Sequence, residues 1–178
     1  MIIKPLIMKN YIKHIGILLV ALCSLNMVQA QNTKADKKAA KLADIKNLVT
    51  SQRYSFNANY VLPLGGGGHA LTSYYELRIS KDTVYAYLPF FGRAYKADYG
   101  SIDNGIDFTS TKFTYKLTNK KDGWDIVIVP LDHNSMTDAK GVVNMRLTIS
   151  SDGYATLQVN NTNRDAISFN GYIEAIKK

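Results

Sequence analysis

Hydrophobic and polar residues alternate along most of the chain after residue 53. A period of two predicts β-strands with one buried and one wetter face, which is typical of antiparallel sheets. This pattern predicts strands within residues 56–62, 75–79, 113–117, 143–149, 155–159 and 167–173. Residues 124–129 are apolar on both faces, and this predicts a strand in a central position.

Short turn sequences separate the predicted strands. Residues 81–82, 121–123 and 151–153 each join two alternating stretches, and the last two contain the Asp-Gly pair that favours tight hairpins. Consecutive hairpins predict a meander rather than a parallel sheet with crossover helices. We therefore predict an all-β domain in which an antiparallel meander of roughly eight to ten strands forms a sandwich or a barrel.

Residues 33–52 have a helical period instead. Thr33 is placed to cap the helix, and one apolar face is formed by Leu42, Ile45, Leu48 and Val49. Lysines occupy most of the opposite side. The pattern predicts one N-terminal helix that packs on the sheet and exposes its basic face to solvent. Contact of that face with anionic lipid or polysaccharide is the alternative.

The first 30 residues have the features of an export signal. A lysine-containing stretch precedes an apolar run at residues 15–22, and Val28 and Ala30 supply compact residues at positions −3 and −1 of a cleavage site. We therefore predict a signal peptide at residues 1–30 and a single β-rich domain at residues 31–178, exported to the periplasm or out of the cell. The apolar run is too short for a transmembrane segment.

Cys23 is the single cysteine of the chain and raises an alternative form of export. A lipoprotein signal requires a small residue before the modified cysteine, and Leu22 occupies that position. Soluble export is therefore favoured over a lipid anchor at Cys23. Cleavage after Ala30 leaves a domain with no cysteine, which excludes disulfides and thiol chemistry.

Composition and charge narrow the class of protein further. Hydrophobic residues make up 46% of the chain and charged residues 20%, as in an ordinary globular protein. The formal charge falls from +8 to +5 when the predicted signal is removed, because that signal holds three lysines and no acidic residue. This mild excess predicts no nucleic-acid partner.

The common catalytic and metal-binding motifs are missing. His69 and His133 lie far apart, and the sequence contains neither a zinc-protease motif nor a nucleophile elbow. No lysine with serine or threonine follows the glycines at residues 65–68, so they do not form a phosphate loop. The acidic loop at residues 98–107 lacks the order of a calcium loop. We predict no cofactor and no metal, and a non-enzymatic role is favoured over catalysis.

The densest aromatic segment contains the string YLPFFGRAY at residues 87–95. Together with DTV at residues 82–84 and a second block within residues 150–171, which includes Arg164 and ends with ISFNG, it resembles DUF4251, a family of small exported proteins of Bacteroidetes. The resemblance extends over most of the predicted domain. It implies export and a shared architecture, and it implies no activity because the family has none assigned.

The same segment supplies the candidate ligand site. Arg93, Tyr95 and Tyr99 place a guanidinium and two phenols within seven residues, and Arg164 lies in the second block of the resemblance. Such groups suit carboxylates, phosphates or sugar rings. We predict ligand contacts for these four residues. The alternative is an aromatic corner in which Arg93 serves the fold, paired with backbone carbonyls or with Asp98.

Three functions are compatible with these features. The favoured one is an exported, non-enzymatic protein that binds a small molecule, a glycan or an envelope protein. The second is a hydrolase of envelope glycans or polymers that uses acids of residues 98–107, and it requires two carboxyls facing each other across a cleft. The third is a structural envelope component, for which an exposed apolar patch on the helix is expected.

Overall fold

A computed structural model of the protein describes residues 34–95, 105–132 and 141–176. The chain divides into two compact units, residues 1–40 and 41–178. Residues 34–40 of the first unit are helical, and residues 41–51 of the second form the helix α1. The strands are β1 (Tyr54–Pro63), β2 (His69–Ile79), β3 (Val84–Leu88), β4 (Ile106–Ser110), β5 (Phe113–Lys120), β6 (Gly123–Pro130), β7 (Val142–Ser150), β8 (Tyr154–Asn161) and β9 (Ile167–Glu174).

The nine strands form one antiparallel sheet in the order β4-β3-β2-β1-β9-β8-β7-β6-β5. Strands that are consecutive in the sequence are paired, and the first strand also pairs with the last. Among the described residues, the ladder missing from a complete ring is that between β4 and β5. The sheet is therefore a nearly closed barrel. The predicted meander with one N-terminal helix is confirmed, and of the two predicted forms the barrel is found.

Apolar side chains from every strand fill the barrel interior. The largest fully buried ones include Tyr54, Phe56, Phe169, Leu77 and Met145. The apolar residues of the alternating sequence pattern face this interior, and the polar residues between them lie on the outer face. Residues 124–129 lie in β6, which is paired on both sides as expected of an internal strand, although its neighbour β5 is the edge strand. Val127 and Val129, on the outer face of β6, are half-buried.

Helix α1 packs against the barrel where β1 begins and where β7 turns into β8. Ile45 and Val49 are buried, whereas Leu42 is 42% exposed. Gly153, in the β7–β8 turn, has φ +81°, and a Cβ atom there would lie 2.7 Å from Ile45 Cδ1. The turn therefore requires glycine both for its backbone conformation and for contact with the helix. Within the described part of the chain, no helix has the length and apolar character needed to cross a membrane.

A pair of tyrosines joins the helix to the barrel. The hydroxyl groups of Tyr54 and Tyr115 are 3.1 Å apart, and the Tyr115 hydroxyl donates to the Val49 carbonyl over 3.4 Å. Burial, and then the neighbouring Tyr115, raises the pKa of Tyr54 well above its ordinary value. The fold therefore holds Tyr54 in its neutral form.

The close approach of β1 and β9 predicts that Gly171→Ala destabilises the barrel. A Cβ atom at residue 171 would lie 1.9 Å from the carbonyl oxygen of Asn57, and a backbone atom within two ladders has little freedom to move away. We expect a loss of about 3 kcal/mol of unfolding free energy, as for strong overpacking. Chemical denaturation measures it. Gly66→Ala is the control, because nothing lies within 4 Å of that position, and equal stability of both variants would contradict the tight contact.

The buried tyrosine predicts a loss of stability in alkali. As the pH rises past 10.0, the ordinary pKa of tyrosine, Tyr54 ionises in the unfolded chain but stays neutral in the folded one. The free energy of unfolding therefore falls as the pH increases. Denaturation midpoints between about pH 9 and pH 11.5 test this. Tyr54→Phe is expected to make the free energy of unfolding fall less steeply with pH. Tyr154→Phe, at an exposed position, is the control and is expected to leave the slope as it is in the wild-type protein.

Candidate functional site

A surface cleft of about 630 Å³ lies beside the loop that connects β1 and β2. Its walls come from three parts of the chain: residues 63–66, residues 91–95 after β3, and Asp165 between β8 and β9. Since the barrel interior is filled, the cleft is a feature of the surface loops. Two of the four predicted ligand residues, Arg93 and Tyr95, line it.

Backbone hydrogen bonds attach the segment after β3 to the β8–β9 loop. Pro89 follows β3 and, having no N–H group, cannot extend its ladder. Beyond it, Ala94 and Arg164 form an isolated antiparallel bridge. The Tyr95 N–H donates to the Asn163 carbonyl over 2.7 Å, and the N–H of Asp165 donates to the Arg93 carbonyl over 3.0 Å. The segment is thereby held as an ordered wall of the cleft.

The Asp165 carboxylate is the centre of polar contacts in the cleft. One oxygen accepts the backbone N–H of Arg93 at 2.9 Å, and the other accepts the hydroxyl of Tyr95. The Tyr95 hydrogen bond, followed by that of the Arg93 N–H, lowers the pKa of Asp165. The same contact raises the pKa of Tyr95. Asp165 is therefore a fixed anion that orients its two neighbours.

Beside Asp165, the Arg93 guanidinium is the other charged group among the described lining residues. Arg93 is exposed, and within residues 34–95, 105–132 and 141–176 its side chain has no hydrogen bond or ion pair. Its backbone N–H and carbonyl are both bound by Asp165. The position of the residue is thus fixed while the donors of its guanidinium remain available.

Arg164 occupies a different environment from the one predicted for a ligand contact. It is 4% exposed, its guanidinium carbon lies 4.9 Å from the centroid of the Phe90 ring, and Nη1 is 3.5 Å from the Gly105 carbonyl oxygen. It does not line the cleft. Arg164 instead joins the parts of the chain that surround the site. Tyr99, the fourth predicted residue, and Asp98 lie outside the described residues.

Apolar and aromatic side chains form the rest of the wall. Leu64 and Phe91 are exposed, and Tyr95 is 69% exposed. The His69 ring meets Phe91 edge to face with centroids 4.6 Å apart, which supports the position of Phe91. Among the described residues that line it, the cleft therefore combines apolar surface with one cationic side chain, Arg93. Among the described residues, no group of three or more His, Cys, Asp or Glu side chains is arranged to hold a metal ion.

Sequence reasoning missed Asp165, the residue that organises the site. It is 72 positions from Arg93, and the Ala94–Arg164 bridge with its neighbouring backbone hydrogen bonds brings the two together. The available signal was the position of Asp165 directly after Arg164, in the second block of the family resemblance. Leu64 and Phe91 were not predicted as site residues, because an apolar side chain has the same chemistry in a core and in a binding site.

Similarities to known proteins identify the family of this chain and support its fold. A family model described as a domain of unknown function, DUF4251, matches residues 36–173. The chain is also similar to a crystal structure of a DUF4251 family protein from Bacteroides eggerthii, with a TM-score of 0.51 and 16% identity over 78% of this chain and 91% of that chain. At this identity the similarity establishes the fold alone. None of the curated proteins matches the chain.

The contacts of Asp165 predict how the cleft responds to acid. Because its pKa lies below the ordinary value of 3.8, the carboxylate keeps its two partners down to that pH and releases them as the pH falls further. The amide resonance of Arg93 in NMR spectra is expected to titrate with a midpoint below 3.8. Tyr95→Phe removes the largest cause and is expected to move the midpoint upward. A midpoint unchanged by this substitution would contradict the assignment.

Proposed function

Because the chain belongs to DUF4251, a family of unknown function, its role has to be inferred from the cleft, and we propose that it is an exported, non-enzymatic protein that binds a small anionic ligand with an apolar or aromatic part. The ligand occupies the cleft between residues 63–66 and 91–95. The signal-like character of residues 1–30 supports export.

The arrangement of Arg93 is the observation that carries this proposal. A guanidinium presents a planar set of donors that matches the two oxygens of a carboxylate or phosphate. Asp165 holds both backbone polar groups of Arg93, so little ordering of the backbone is required when a ligand binds. Such preorganisation increases affinity, because less conformational entropy is lost on association.

The walls of the cleft indicate the second part of the ligand. Leu64 from residues 63–66, and Phe91 and Tyr95 from the segment that carries Arg93, present apolar or aromatic surface to the cleft. Typical small-molecule sites combine such surface with a few polar groups that fix orientation. A simple inorganic anion leaves this surface unused, so an organic anion fits the cleft better.

Among the described residues that line the cleft, the acidic groups favour binding over hydrolysis. Asp98 and Asp103, two of the acids predicted for hydrolysis, lie outside the described part of the chain. Glycoside hydrolysis requires a pair of carboxyl groups flanking the scissile bond. Asp165 is the single carboxylate among the described residues that line the cleft, and both of its oxygens are already hydrogen-bonded. In a binding protein, Asp165 has only to hold Arg93 and Tyr95 in position, and its hydrogen bonds already do so.

An anionic aromatic dye tests the proposal. We expect 8-anilinonaphthalene-1-sulfonate to bind the full chain and to shift the amide resonances of Gly65 and Gly66 in NMR spectra. Arg93→Gln is expected to weaken binding about tenfold, which corresponds to the loss of one charge-assisted contact. Arg53→Gln, at another exposed arginine, is the control and is expected to bind normally.

The result that would overturn the proposal is equal affinity of the dye for the wild-type and Arg93→Gln proteins. Resonance shifts confined to other parts of the barrel would also overturn it. Thermal unfolding of both variants accompanies the titration, so that a general loss of structure is distinguished from the loss of a contact. Higher salt is expected to weaken binding, since an exposed ion pair is screened.

A further inference from the structure

A second depression, of about 760 Å³, lies on the outer face of the barrel, away from the Arg93 cleft. It extends over strands β1, β9, β8, β7 and β6 and over the β5–β6 turn. Neighbouring strands are about 4.8 Å apart, so the five strands extend over about 19 Å. This length suits a chain of several units better than a single small molecule.

A row of polar side chains forms the floor of the depression. Thr148, Thr156 and Asn170 line it and are direct neighbours across the β7–β8 and β8–β9 ladders. Their separation is set by the strand spacing of about 4.8 Å, which is close to the length of one sugar ring in an extended β-linked chain. The row therefore presents hydrogen-bonding groups with the repeat of such a chain.

The hydroxyl groups of this row are oriented by the protein. The Thr148 hydroxyl donates to Asp125 Oδ1 over 3.1 Å, and the Thr156 hydroxyl donates to Asn170 Oδ1 over 3.0 Å. Each threonine oxygen thereby keeps acceptor capacity, and the Asn170 amide nitrogen supplies donors. Sugar hydroxyls both donate and accept, so they match this mixed set.

Two further features of the depression point to a ligand. Ser150 lines it, and its buried hydroxyl has no hydrogen-bond partner among the described residues. Such atoms are rare, because leaving them unpaired costs free energy. Tyr154 also lines the depression and is 67% exposed, although the Lys41 ammonium lies 5.9 Å from its ring centroid. An exposed ring offers a flat surface on which the C–H face of a sugar stacks.

We propose that this depression binds an extended, β-linked oligosaccharide that lies across strands β6 to β9, with Thr148, Thr156 and Asn170 as hydrogen-bonding groups and Tyr154 as the stacking platform. The proposal is independent of ligand binding at Arg93. It assigns the outer face of the barrel to recognition of a polymer.

Titration of the full chain with cellohexaose tests this assignment. Calorimetry is expected to show saturable binding, and NMR is expected to show shifts at Thr148, Thr156 and Asn170 but not at Arg93. Maltohexaose, a curved α-linked chain of the same length, is expected to bind at least tenfold more weakly. Absence of cellohexaose binding, or equal binding of the two sugars, would overturn the proposal.

Variants separate the stacking contact from the polar contacts. Tyr154→Ala is expected to lower the affinity at least tenfold, whereas Tyr154→Phe keeps the ring and is expected to retain binding. Thr156→Val preserves the shape of the side chain and is expected to weaken binding about fivefold. Gln158→Ala is the matched control, because residue 158 is exposed on the same strand outside the depression. Wild-type affinity of Tyr154→Ala would exclude the platform.

Discussion

Pairing of β1 with β9 turns two meanders into a barrel. Strand β1 is hydrogen-bonded to β2 on one side and to β9 on the other, and both ladders shift register between Ala58 and Tyr60. A bulge at this point increases the local twist, which a closing sheet needs. Gly171 permits the close contact with Asn57 that completes the ladder. Without this pairing the interior side chains of the two halves would lose their common core.

The cleft depends on the same closure. Residues 91–95 follow β3 in one half of the sheet, and Asp165 precedes β9 in the other half, so the β1–β9 ladder brings them to one side of the molecule. The buried Arg164 then joins Phe90 to Gly105. Arginine therefore has two different roles here: Arg164 stabilises the loops, and Arg93 presents its charge.

The two proposed sites are built by different means. The Arg93 cleft consists of loop residues held by the hydrogen bonds of Asp165, so its shape responds to the ionisation of one carboxylate. The outer depression consists of strand residues whose spacing is set by the ladders themselves. A single charge suits a small anion, whereas a regular row of hydroxyl and amide groups suits a repeating polymer.

Local pattern in the sequence predicted the helix, the turns and most of the strands, because each depends on neighbouring residues, and the chemistry of one side chain made Arg93 a candidate. Strand β4 was missed, because it is only five residues long and its first two residues were assigned to the acidic loop. A period of two is the same in a sandwich and a barrel, so only the tertiary structure decided that β1 meets β9. For the same reason the valines of β6 did not reveal its place beside the edge strand. Asp165 acquires its role only because distant segments pair, and no local pattern encodes a contact across 72 positions.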